Sequence, residues 1–180
     1  MTGFIDRMLR AAKLDPDLYE EVEADKSAMT QAMTVVVLSS VAAGIGSIGM
    51  GAGGPGRFLF GIIAALGDWY IWAYVTFLIG TKVLPEPQTK SDPGELLRTL
   101  GFASSPGFIR VLGIMPGLGA LVFSIASIWM LVAMVIAVRQ ALDYKSTLRA
   151  VGVCAIGWII QMVIFMLLFA LFGGGAPPAG

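Results

Sequence analysis

The sequence predicts an all-α, polytopic membrane helix bundle, with five transmembrane helices preceded by a short N-terminal amphipathic helix. Three observations predict it. Of the 180 residues, 57% are hydrophobic and only 13% are charged, against about a quarter charged in soluble domains. Long apolar runs recur along the chain, each close to the roughly 20 residues needed to cross about 30 Å of hydrocarbon. Basic residues alternate between rich and poor connections in step with those runs.

The N-terminal stretch is amphipathic on a helical projection. Phe4, Ile5, Met8, Leu9 and Ala12 share one face, and Asp6, Arg7, Arg10 and Lys13 share the other. That suits a membrane-surface arm in which Phe4 and Met8 meet lipid while Arg7, Arg10 and Lys13 reach head groups. A helix packed on the protein's own loops fits the pattern equally well. Asp15-Pro16 reads as an N-cap followed by a proline in the first turn, and Asp17, Glu20 and Glu21 suit the positive end of the new helix. This second helix is free to run unbroken into the first span. Residues 15–26 are too polar for the apolar core of a cleavable signal peptide.

Four runs, residues 31–50, 58–81, 117–138 and 151–172, carry between them only one charge, Asp68. Lipid offers the backbone no water, so these runs are expected to be helices. Residues 97–115 are less simple, with Arg98, Pro106 and Arg110 inside an otherwise apolar run. They read either as a fifth span or as a re-entrant segment. Counting basic residues decides between the two. If 97–115 crosses, then Arg7, Arg10, Lys13 and Lys26, then Lys82, Lys90 and Arg98, then Arg139, Lys145 and Arg149 all lie on one side. The positive-inside rule makes that side cytoplasmic. The expectation is a multi-pass protein of the cell (inner) membrane, N-terminus inside and C-terminus outside. Residues 1–30 form the arm, 31–172 the five-helix bundle and 173–180 a flexible tail. Residues 49–56 form a flexible outer connection, and 85–93 a polar, proline-rich inner linker.

Composition limits the chemistry. Lys+Arg and Asp+Glu are equal at 12 each, and there is no histidine, which argues against nucleic acid as a partner and removes the commonest general base and metal ligand. The single cysteine, Cys154, lies in an apolar run and excludes a disulfide within the chain. The glycine-rich 49–56 lacks the lysine of a phosphate loop. Asp17, Glu20, Glu21, Glu23 and Asp25 read as a solvated face. No catalytic residue, cofactor or metal is expected.

Asp68 and Arg110 stand out. A charge at the centre of a spanning helix costs about 2.5–3.5 kcal/mol on insertion scales, so an intramembrane ion pair is the expected arrangement. Such a pair either locks the second and third spans together or forms part of a polar path for a proton, ion or lipid head group. Tyr70, Tyr74, Ser104 and Ser105 are placed to extend it. Small residues recur at spacing four, as in Ala42/Gly46, Gly49/Gly53, Gly113/Gly117 and Ala133/Ala137, which lets helix backbones approach closely in lipid. Trp69, Trp72, Trp129 and Trp158 do not all sit at span ends, so some are expected inside the bundle.

Several stretches resemble the Yip (Ypt/Rab-interacting protein) domain family, in a bacterial form. They are AAKLDPDLYEEVE before the first span, WAYVTFLIGTKVL at the end of the second, GFASSPGFIRVLGIMPGLG, and IASIWMLVAMVIAVRQALDYKSTLRAV. The resemblance is best over residues 100–151. It implies five spans, a cytoplasmic N-terminus and no known enzymatic activity; eukaryotic relatives are associated with vesicle traffic and prenylated small GTPases. The expected function is a non-enzymatic membrane scaffold or accessory subunit, with other membrane proteins or further copies of itself as partners. The alternative is a small transporter or channel-like protein using an Asp68/Arg110 path. A third reading is a membrane-shaping protein with the arm as a lipid wedge.

Overall fold

The computed structural model describes residues 3–51 and 55–172; the expected flexible tail and the centre of the glycine-rich connection lie outside them. Two short helices open the chain. α1 (Phe4–Ala12) stops where Leu14 takes a left-handed φ of 63°, which turns the Leu14 and Asp15 N–H groups back to the Ala11 and Arg10 carbonyls. α2 (Pro16–Ala24) begins as its sequence predicts, with Asp15 accepting from the Asp17 N–H and Pro16 in the first turn. It does not run on into the next helix. The Asp25 carboxylate accepts from the Ser27 N–H at 2.9 Å and its hydroxyl at 2.5 Å, opening a 3-10 turn at Lys26–Ala28. A local side-chain bond has outcompeted helix continuation there.

Four helices are long and apolar enough to cross a membrane: α3 (Met29–Ile48), α4 (Pro55–Leu78) with a π-helical extension Ile79–Val83, α6 (Gly119–Ala141) and α7 (Thr147–Phe172). Each covers one of the four plain apolar runs, with ends moved by a few residues. No strand occurs among the described residues. Inward positions are often small, such as Ala126, Ala133, Ala137 and Ala141 on α6, all fully buried. Outward positions such as Phe60, Ile63, Leu121, Ile128 and Ile159 are large, apolar and exposed. Water does not favour so wide an apolar surface, and lipid does. The chain is a multi-pass membrane protein.

Residues 97–115 build something different from the other runs. α5 (Pro93–Phe102) starts on a reciprocal cap between Asp92 and Glu95. It gives way near Ala103 to a ten-residue 3-10 helix, Ser105–Ile114, with Pro106 in its first turn. Pro106 offers no N–H to continue an α-helical ladder. A 3-10 helix rises about 2.0 Å per residue against 1.5 Å, so ten residues reach about 20 Å. The segment runs beside α3 in the same direction: Gly101 meets Ala32, Gly107 meets Ser39, Arg110 meets Gly46, and Gly113 and Ile114 meet Gly49. Ala32 to Gly49 is about 26 Å of α-helix. Close approach explains the glycines. A Cβ on Gly46 would strike the Arg110 carbonyl oxygen, and one on Gly49 those of Gly113 and Ile114.

The arm packs along α5, α6 and the 3-10 segment, and the polar connections gather beside it. The buried Arg98 of α5 donates to the Val22 carbonyl at 2.9 Å and to that of Glu23, capping the last turn of α2. The Tyr144 hydroxyl lies within hydrogen-bond reach of the Gly80 and Leu84 carbonyls, at 2.9 and 2.7 Å, where the π turn ends. Glu86 accepts from the Lys145 and Ser146 N–H groups just ahead of α7. These bonds hold the 85–93 linker against the 142–146 turn.

Candidate functional site

A cavity of about 730 Å³ lies between α3, α4, α6, α7 and the 3-10 segment, and its walls include Asp68, Trp72, Gln161, Arg110 and Ser127. Asp68 and Trp72 stand one turn apart on α4. α7 runs antiparallel to that face: Gln161 donates from Nε2 to the Asp68 carboxylate. One turn along, Gly157 leaves room for the Trp72 ring, which a Cβ there would meet at 3.0 Å. Arg110 projects from the 3-10 helix. Its Nη2 donates to the Ser127 hydroxyl oxygen at 3.2 Å, and its guanidinium lies 5.6 Å from the centre of the Phe123 ring, a cation–π arrangement. Ser127 in turn donates to the Phe123 carbonyl at 2.8 Å.

Both charges singled out in the sequence thus face one cavity, but among the described residues no ion pair joins them. Each is held by a neutral partner instead. The helix positions account for this. Arg110 lies level with Gly46, and Phe58 level with Gly44. Asp68 is ten residues further along α4 than Phe58, about 15 Å deeper. The polar atoms around the cavity are also incompletely matched: Arg110 Nε, Trp72 Nε1 and Gln161 Oε1 are buried without a hydrogen-bond partner. Trp72 is only 8% exposed.

The expected extensions of this network divide. Ser104 lines the cavity, whereas Ser105 is buried nearby with its hydroxyl unpartnered. Tyr70 and Tyr74 face outward, 61% and 49% exposed. Of the tryptophans, Trp69 donates to the Leu97 carbonyl at 3.0 Å and Trp129 to that of Ala12 at 2.8 Å, while Trp158 is exposed at the cavity wall. Trp72 was among the tryptophans expected inside the bundle, whereas Gln161, Ser127 and Phe123 were not foreseen as partners. Gln161 alone left a signal, as the one amide within the apolar run 151–172.

The arm is built differently from a free surface helix. Phe4 and Met8 pack against the buried core. Arg7, almost fully buried, pairs with Glu21 and Asp25, each at 2.9 Å, and donates to Gln31 at 3.1 Å. Arg10 pairs with Asp15 at 2.7 Å and Glu21 at 2.6 Å. Lys13 is exposed, as are Ile5 and Leu9. The two arginines therefore face α2 carboxylates. The hydrogen bond with Arg10 holds the Asp15 carboxyl below its ordinary range. Bonds from Ser27 and then Arg7 do the same for Asp25. Glu23 goes the other way: burial, then repulsion from Glu95, Glu20 and Asp143, pushes it up to about 8. So the acidic stretch is only partly the solvated face its sequence suggests.

Among the described residues no group of histidine, cysteine or carboxylate side chains is arranged to hold a metal. Comparison with curated proteins and with solved structures returns no match. A family model for the Yip1 domain matches residues 14–169, a stretch that takes in α2, the cavity residues above and most of α7. The chain belongs to the Yip1 domain family.

Proposed function

We propose that this chain is a non-enzymatic scaffold or accessory subunit of a bacterial inner membrane, binding other membrane proteins or a second copy through its helix bundle. It crosses the bilayer five times, with the arm in the cytoplasm and the C-terminus outside. The parallel course of the 3-10 segment beside α3 supports the fifth crossing. So does the grouping of Lys82, Lys90, Arg139, Lys145 and Arg149 with the arm's basic residues on one side.

The observation that carries the scaffold reading is the outward stripe of α4. Ile63, Tyr70, Ile71 and Tyr74 are exposed at helical spacing, and a Cβ added at Gly67 would meet nothing within 4 Å. Tyr70 lies near the middle of the span, where lipid has no acceptor for a phenol. A partner helix seated in the Gly67 notch supplies both close packing and hydrogen bonds. Purification in mild detergent is expected to yield a stoichiometric larger assembly or a homo-oligomer, and Gly67→Leu with Tyr70→Phe to yield a monomer. An inert wild-type monomer in several detergents contradicts the reading.

The cavity favours a second reading, a small transporter or channel-like protein with a path past Asp68 and Arg110. On that reading, replacing both with apolar residues leaves folding intact and abolishes a flux in reconstituted vesicles. Wild-type vesicles that move neither ions nor lipids remove it.

A further inference from the structure

Folding splits the apolar face of α1 in two. Phe4 and Met8 turn inward onto the core. Ile5 and Leu9, one turn apart, turn outward and are 70% and 55% exposed. Arg7 and Arg10 are taken up by Asp15, Glu21 and Asp25, while Asp6 and Lys13 are exposed. At 3.6 residues per turn, the order around the helix is core, then Ile5 and Leu9, then Lys13 and Asp6, then the arginines toward α2. An apolar sector thus borders a polar one on the outward side.

The depth of α1 decides what that apolar sector meets. Arg7 reaches Gln31 in the first turn of α3. The Ala12 carbonyl accepts from Trp129, and Trp129 to the Ala141 end of α6 is about 18 Å of helix. The charge-free run of α6 continues to Val138. α1 also packs against the 3-10 segment, whose Phe108 and Leu112 are exposed. Even after the length of an indole is subtracted, α1 lies beside the membrane-long helices and not beyond their ends. Arg7 and Arg10 can sit at that depth because each is paired within the fold and leaves no lone charge to desolvate.

We infer that α1 lies half-sunk in the bilayer surface on the arm's side, with Ile5 and Leu9 among the acyl chains and Lys13 and Asp6 at head-group level. A helix of this kind buries its apolar face about 5–10 Å into the head-group and acyl boundary. With both arginines engaged by α2, its hold on lipid comes from apolar burial and not from head-group charge. The helix sits there whether or not the outward face of α4 docks a partner, because it needs only α3 and α6 to span.

Spin labels on single cysteines test this, on a Cys154→Ala background in vesicles of phosphatidylcholine. Labels at Ile5→Cys and Leu9→Cys should collide several-fold more with oxygen, which concentrates in lipid, than with a water-soluble nickel chelate. A label at Lys90→Cys, exposed in the 85–93 linker, should show the reverse. Adding phosphatidylglycerol or salt should leave the ratios at Ile5 and Leu9 unchanged. Nickel excess at both positions places the face in water, and shielding from both reagents places it under protein. Dependence on phosphatidylglycerol or salt returns the contact to head-group charge. Each of these results would overturn the assignment. A label-free variant guards against a nitroxide dragging the helix into lipid. Ile5→Ala with Leu9→Ala raises helix propensity, yet should speed amide exchange over residues 4–12 in vesicles by about tenfold through lost apolar contact. Exchange no faster than in the wild type would likewise contradict the half-sunk helix.

Discussion

Glu23 lies where α2 meets α5, beside the two carbonyls that Arg98 caps, with one carboxylate oxygen buried and unpaired. Its pKa of about 8 means that the folded protein holds a proton which the unfolded chain, titrating near 4.5, releases. Between those values the folded state binds more protons, so this contribution to stability is full below about pH 4.5 and falls as the pH rises toward 8. Asp15 and Asp25, held low by their partners, contribute in the opposite sense and lose their effect in acid. Glu23→Gln is therefore expected to raise the melting temperature in detergent at pH 8 and to leave it nearly unchanged at pH 5, where the wild-type group is already neutral. Equal shifts at both pH values contradict this account of Glu23.

At the scale of elements, the pairing of α3 with the 3-10 segment rests on side chains that are missing. Gly46→Ala sets a Cβ against the Arg110 backbone carbonyl, which cannot rotate away. Overpacking of this kind typically costs about 1–3 kcal/mol or more. Gly61→Ala, with nothing within 4 Å, should instead gain about 0.5–1 kcal/mol from helix propensity. Unfolding in mixed micelles separates the two, and a neutral Gly46→Ala would contradict the close approach. The four plain spans and the Asp15-Pro16 helix start were legible because apolar length and cap chemistry are local. The 3-10 form of residues 105–114 was not, since Pro106 marks an irregularity without stating which one. Asp68 and Arg110 were legible as uneasy charges, yet their partners Gln161 and Ser127 lie far off in sequence and depend on helix depth. The arm's two readings, on lipid or on the protein itself, were equally legible for a related reason. The partners of its basic face, Asp15, Glu21 and Asp25 against Arg7 and Arg10, are set by how α2 folds back, which no local pattern states.

The whole molecule combines a tied-down arm, outward apolar helix faces and a mainly apolar cavity that two charged side chains enter. Trp129, near the middle of α6, bonds the Ala12 carbonyl, and Gln140 near its end bonds Glu20 at 2.9 Å, so the arm lies along that helix as part of the bundle. The scaffold reading assumes that the 3-10 segment carries the chain across the bilayer and puts the turn before α6 on the far side from the arm. Cysteine accessibility tests that assumption directly, because Cys154 is the only native thiol and is buried. On a Cys154→Ala background, Leu118→Cys should react with a membrane-impermeant maleimide added outside intact cells, and Ser91→Cys should react only after permeabilisation. Labelling of Leu118→Cys solely in permeabilised cells would return residues 97–115 to a re-entrant course and contradict the account.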